Sequence, residues 1–298
     1  MSVQFVAEVS SNHGRDLDRA LRFVDVAADI GCSAVKFQQF RVRELFAPEA
    51  IAANPDLLLR EAWELPEEFH DDLAAQAHGR GIEYSCTPFH LSAVELLEPH
   101  VDFYKVASYQ LLWHEFLREV AATAKPVVLA TGMASLDEVR EAVAVLKEAG
   151  AGKLTLLHCV SLYPTPRELA NLRAIETLRS AFGVEVGWSD HSVSAPVVRR
   201  AVRRWAASMV EFHLDLDGMG EEYGGGHCWL PDEICRVIVE LRTSADATEE
   251  SGGSDPADGT GTMEPTREEA EERRWRTDPS DGLRPLLETR HELKEVAA

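Results

Sequence analysis

Two histidines stand at corresponding places in successive segments. His191 closes the run VEVGWSDH (184–191), and His213 follows the run SMVEF (208–212). Neutral imidazole offers a lone pair, so two histidines from adjacent strands suit a divalent metal ion with open coordination positions. The plainer alternative is a hydrogen-bonded core histidine, which is how His158 inside KLTLLHCV (153–160) reads. Lys36 and Lys105 each lie in a short apolar run, and Thr87, Ser108, Ser161 and Ser189 fall at or just past the ends of others. Two ammonium groups with several hydroxyls make an anion site, suited to phosphate and carboxylate together. Glu8, near the end of VQFVAEV (3–9), could be a third metal ligand or a general base. Ser10, Asn12, His13, Gln38, Thr131, Tyr163 and Asp190 cluster at similar places. A phosphorylated carboxylic acid beside a metal-bound carbonyl is the chemistry these parts fit.

Such residues need elements that bring them to one place. Apolar, β-branched runs occur at 3–9, 34–38, 82–86, 101–107, 126–131, 153–160, 184–189 and 208–214. Amphipathic stretches lie between them. One carries Leu17, Leu21 and Val24 on one face and closes on Gly31; another starts on Ser135 with Glu138 three residues on, a capping box. Eight strand–helix units in strict alternation predict a (β/α)8 TIM barrel over 1–243. An open doubly wound sheet also alternates, but eight units in this length favour closure. The polar residues above then all fall at C-terminal strand ends, where such barrels carry their chemistry. Residues 244–266, rich in Ser, Gly, Asp, Glu and Thr, read as a disordered acidic linker, and 267–298 as a short helical tail. The tail is expected to dock as a solvated helix through Trp275 and Leu286/Leu287. The alternative is that Arg273, Arg274, Arg276 or Arg284 folds back over the barrel mouth.

Composition excludes several classes. The 298 residues carry a formal net charge of −21, so nucleic acid is not expected as a partner. No window approaches ~18 consecutive apolar residues, so no membrane span is expected. The N-terminus lacks the order of a signal peptide, and the five scattered cysteines lack a CxxC pair; both fit a cytoplasmic protein with free thiols.

The blocks AEVSSNHGRDLDRAL, AVKFQQF, CTPF, KVAS, KPVVLATGMAS, LLHCVSLYPTP, NLRAIETL, GWSDHS and EFHLDLD, in that order, resemble the sialic acid synthase family. That family includes the N-acetylneuraminate, legionaminate, pseudaminate and spore-coat polysaccharide synthases, and the resemblance spans roughly residues 3–240. It implies a barrel that condenses phosphoenolpyruvate with an open-chain N-acetylhexosamine. It implies a divalent ion, manganese first with magnesium or cobalt as alternatives, on His191 and His213. Glu8 and Gln38 match catalytic positions beside the metal. Lys36, Thr87, Lys105, Ser108, Ser161 and Ser189 match positions that hold phosphoenolpyruvate, and Tyr163, Gln110 and His227 match the sugar side. Gln110, Ala130, Ser161 and Gly226 depart from the family's commonest residues. The family's C-terminal antifreeze-like domain has no counterpart in 244–298, so a homodimer is expected, but not one closed by swapping that domain. Two other readings of the residues stay open: a Schiff-base pyruvate aldolase using Lys36 or Lys105, and a non-catalytic sugar-binding barrel.

Overall fold

All eight expected strands form, and they close. A computed structural model describes residues 3–243 and 253–297. Its strands are β1 (Gln4–Glu8), β2 (Ala34–Gln39), β3 (Glu83–Pro88), β4 (Phe103–Val106), β5 (Val127–Ala130), β6 (Leu154–His158), β7 (Glu185–Asp190) and β8 (Met209–Leu214). Each pairs in parallel with the next, and β1 pairs with β8, which makes the sheet a (β/α)8 barrel rather than an open sheet. A two-residue strand β9 (Cys228–Trp229), not expected from the sequence, adds to β8. Helices follow the strands on the outside. The helix Leu17–Asp29 is capped by Asp16, and the helix Leu136–Glu148 has its capping box between Ser135 and Glu138.

Alternation along the strands separates two cores. Phe5, Val35, Phe37, Tyr84, Tyr104, Leu156, Trp188 and Phe212 point outward and pack under the helices. Val6, Ala34, Phe103, Val128, Leu157 and Met209 point inward and plug the lower half of the barrel. Gly187 also faces in: a Cβ there would sit 2.4 Å from the Met209 carbonyl, so the interior has no room for a side chain at that level. One layer above the plug, the inward positions of the same strands become Glu8, Lys36, Lys105, Ser189 and Glu211, all buried.

The C-terminal region departs from expectation. Residues 244–252 of the expected linker lie outside the described residues, but 253–266 pack on the barrel. The Arg200 guanidinium bonds Asp258 (2.6 Å), the Trp205 indole N–H bonds the same carboxylate (2.8 Å), and Met263 is buried. Leu172 N–H bonds Ala257 O (2.8 Å), and Leu136 N–H bonds Met263 O (3.0 Å). Backbone hydrogen bonds and a buried ion pair hold a segment whose low apolar content had read as disorder. Beyond it, Glu269 accepts from the N–H groups of Met133 and Ser161 (3.2 and 2.8 Å). Trp275 meets Phe46 edge-on (6.2 Å between centroids), whereas Leu287 is 40% exposed. The tail therefore docks by Trp275 and backbone pairing rather than by Leu287. Phe46 and Arg284 form a parallel bridge in which Arg284 N–H bonds Leu45 O and Ala47 N–H bonds Arg284 O (both 2.8 Å). Gly282 (φ +76°) lies so close to the Trp113 ring that a Cβ would approach it to 2.3 Å.

Candidate active site

The polar layer opens into a cavity of about 280 Å³ at the C-terminal strand ends. Its base is a charge network. Lys36 touches Glu8, donates to Thr87 Oγ1 (3.2 Å) and lies 3.8 Å from Glu211. Lys105 pairs with Glu211 at 2.8 Å, and Ser189 Oγ donates to the same carboxylate (3.3 Å). Burial pulls the Lys36 ammonium down; Glu211 opposes this and Lys105 adds to it, and the balance is a pKa of about 7. Burial would raise Glu211, but Lys105 and Lys36 outweigh it and hold the carboxyl below its usual range. Beside the lysines, Ser108 Oγ accepts from Gly132 N–H (2.9 Å). A Cβ on Gly132 would lie 2.4 Å from Ser161 Oγ and 2.9 Å from Ser108 Oγ, so only glycine lets these hydroxyls converge.

The other wall holds the histidines. Nδ1 of His191 lies 2.8 Å from the Val160 carbonyl, and Nδ1 of His213 lies 2.9 Å from the Glu222 carboxylate. Both partners accept, so each Nδ1 carries the proton and each Nε2 keeps a lone pair. Burial, with His213 and His227 nearby, pushes His191 down to about 3; burial also lowers His213 against the pull of Glu222. Both rings are therefore neutral near pH 7. Burial works to raise Glu222, but hydrogen bonds from His213 and His227 hold it well below the carboxylate range. Ser10 also donates to Glu222, and Asn12 Oδ1 accepts its backbone N–H (2.9 Å). Ligand atoms of His213, Glu222, His227 and Cys228 lie within 4.8 Å of one another. His191 is outside that group but close: its ring centroid is 5.6 Å from that of His213, and Tyr163 lies 4.2 Å from His191 and 5.1 Å from His227.

A model of the NeuB family matches residues 23–252. This chain belongs to the NeuB family. It is 39% identical over 242 residues to an uncharacterised protein of Methanocaldococcus jannaschii, covering 80% of this chain and 69% of that one. It is 35% identical over 225 residues to the N,N'-diacetyllegionaminic acid synthase of Campylobacter jejuni, covering 71% and 67%. The N-acetylneuraminic acid synthetase of Leptospira borgpetersenii, solved with citrate, superposes with a TM-score of 0.76 at 29% identity over 91% and 90% of the two chains.

On this NeuB-family barrel most residues singled out in the sequence converge. Glu8, Lys36, Gln38, Thr87, Lys105, Ser108, Tyr163, Ser189, His191, His213 and His227 line the cavity. Two do not reach its wall. Ser161 is buried with its Oγ packed against Gly132 and its N–H engaged by Glu269, and Gln110 is fully buried with neither amide atom bonded. Asp190 accepts from Trp188, Trp229 and Ser192 and fixes the loop that carries His191. His158 bonds the Ala170 carbonyl and packs on Trp188, a core histidine as expected. Thr131 bonds the Leu157 carbonyl, and His13 accepts from Arg15 N–H. Sequence reasoning missed Glu211, Glu222, Arg60 and Trp63. Glu211 had a signal, standing two residues before His213 on one strand and so on the same face. Glu222 sits in a glycine-rich loop with no such signal.

Proposed function

We propose that this chain condenses phosphoenolpyruvate with an open-chain N-acetylhexosamine or related aldose, forming a nonulosonic 2-keto acid and releasing phosphate. The observation that carries the reading is the juxtaposition of Lys36 and Lys105, buried with Glu8 and Glu211, and two neutral histidines across one cavity. Glu8 and Glu211 balance the two ammonium groups in the free protein, and Thr87, Ser108 and Ser189 beside them supply hydroxyls for an incoming phosphate and carboxylate. The relatives named as synthases of legionaminic and N-acetylneuraminic acids support the same class.

The donor set fits a divalent ion. Both Nδ1 atoms are tied down, leaving Nε2 of His191 and His213 as ligands, and Glu222 fixes the orientation of His213. The buried Nδ1 of His227 has no protein partner. The family resemblance points to manganese first, with magnesium or cobalt as alternatives. Two imidazoles with open positions suit a transition ion such as manganese or cobalt better than magnesium, a harder ion that prefers oxygen ligands. A divalent ion there would polarise the acceptor carbonyl. Lys36, Lys105, Thr87, Ser108 and Ser189 hold the phosphate and carboxylate of phosphoenolpyruvate, so that its C3 faces the aldehyde carbon. Carbon–carbon bond formation leaves positive charge at C2; water adds there, and phosphate departs with its bridging oxygen. Glu8, bonded by Ser10 N–H (2.7 Å) and Gln38 (3.3 Å), takes the proton from that water.

Phosphate release assayed across a panel of acylated aldoses tests the reading: release should need both the sugar and a divalent ion. The second reading, a Schiff-base aldolase, is favoured by one observation, the Lys36 pKa near 7. Borohydride with pyruvate should leave the chain unmodified; a carboxyethyl-lysine adduct on Lys36, the reduced imine, would establish the aldolase instead.

The same pKa gives a pH dependence. A bound anion favours protonated Lys36, and in the free protein this group loses its proton as pH rises through about 7. Phosphoenolpyruvate binding near pH 8 should therefore take up a fraction of a proton and weaken further as pH rises. Calorimetry in buffers of different ionisation enthalpy measures this; proton release would contradict it.

A further inference from the structure

The mouth of the cavity has a second, separate concentration of positive charge. Arg284, from the C-terminal tail, lines the cavity and is only 8% exposed. Its guanidinium lies 4.0 Å from the centre of the Tyr109 ring and 5.2 Å from that of Phe89. Its Nε reaches Thr277 Oγ1 only at 3.5 Å, and its buried Nη2 has no partner among the described residues. The carboxylate that acts on it is Glu272, which is taken by the Tyr109 hydroxyl and forms no ion pair with Arg284. Exposed Arg60, over the Trp63 ring at 5.4 Å, lines the same mouth and repels Arg284.

A buried guanidinium without a counter-charge is costly, and a second like charge beside it adds to that cost. The arrangement is relieved when an anion enters. Arg284 is not loosely placed: the Phe46–Arg284 bridge fixes its backbone and the aromatic rings fix its side chain. The lysines at the base already provide for the anion of the donor substrate, so the mouth arginines face whatever occupies the outer half of the cavity.

We propose that Arg284, assisted by Arg60, recognises an anionic substituent, such as a phosphate ester, on the far end of the acceptor sugar. This rests on the synthase reading for the identity of the acceptor, but it is tested by binding alone. The ion-loaded full chain is titrated calorimetrically with an N-acetylhexosamine 6-phosphate, with the neutral N-acetylhexosamine, and with phosphoenolpyruvate. The phosphorylated sugar should bind about ten- to one-hundred-fold more tightly than the neutral one, the range of a charge-assisted contact. Arg284→Gln should remove most of that difference while leaving the neutral sugar and phosphoenolpyruvate within about two-fold. Arg284→Lys should restore part of it, and Arg60→Gln, at an exposed position, should act in the same direction less strongly. Equal affinity for the two sugars would overturn the proposal. So would a loss in Arg284→Gln that falls on phosphoenolpyruvate, or equally on both sugars. If the discrimination is found but neither sugar supports phosphate release, the synthase reading fails and the anion site stands.

Discussion

Replacing His191 or His213 by alanine is expected to remove activity by at least about a thousand-fold, the several kcal/mol a carbonyl-polarising ion contributes to the transition state. Each ring offers one Nε2, and two protein ligands leave no reserve when one is lost. Titration of the chelator-treated protein with manganese should show binding in the parent chain and none in either variant. Glu222→Gln probes the support of that site. It keeps the shape but weakens the hold on His213 Nδ1–H (2.9 Å in the parent), so ion affinity should fall by about ten- to one-hundred-fold. Full activity of His213→Ala in metal-free buffer would contradict the assignment.

Lys105→Ala is expected to have two separable effects. Loss of a charge-assisted contact of about 1.5–3 kcal/mol should weaken phosphoenolpyruvate binding by roughly ten- to one-hundred-fold. The same change strips Glu211 of its closest cation (2.8 Å) in a buried layer, which should cost about 3–5 kcal/mol of stability. The double variant Lys105→Met/Glu211→Gln removes both charges. It should regain most of the stability and none of the affinity. A double variant that recovers phosphoenolpyruvate binding would show that the lysine serves packing and charge balance rather than the ligand. Denaturant unfolding and calorimetry read the two effects independently.

The barrel was legible because its determinants are local and periodic. Each strand alternates outward residues such as Phe5, Tyr104 and Phe212 with inward ones, and helices such as Leu17–Asp29 and Leu136–Glu148 carry their own start signals. The site followed from the same periodicity: inward positions near the strand ends are polar in six strands, and a closed barrel must bring them together. What periodicity does not reach was not legible. Glu222 depends on a loop pinned by Asn12, from the other end of the chain. Gln110 and Ser161, assigned by family resemblance, follow their strands by a few residues, where strand alternation no longer fixes which side chains reach the cavity; both are buried. The segment 253–266 misled because composition registers apolar burial. This segment is held instead by backbone bonds to Leu136, Leu172 and Arg173 and by the Asp258–Arg200 pair. Those partners are supplied by the barrel surface and have no trace in the segment itself.

How phosphate leaves tests the proposed condensation most directly. Phosphoenolpyruvate carrying a heavy-oxygen label at the bridge between C2 and phosphorus is incubated with the protein, manganese and acylated aldoses, with and without a phosphate ester. Mass analysis then follows both products. Phosphate should be released only when sugar is present and should carry the label, and a 2-keto acid of the combined carbon skeleton should appear with it. Unlabelled phosphate, or phosphate release that does not depend on sugar, would contradict the proposed condensation.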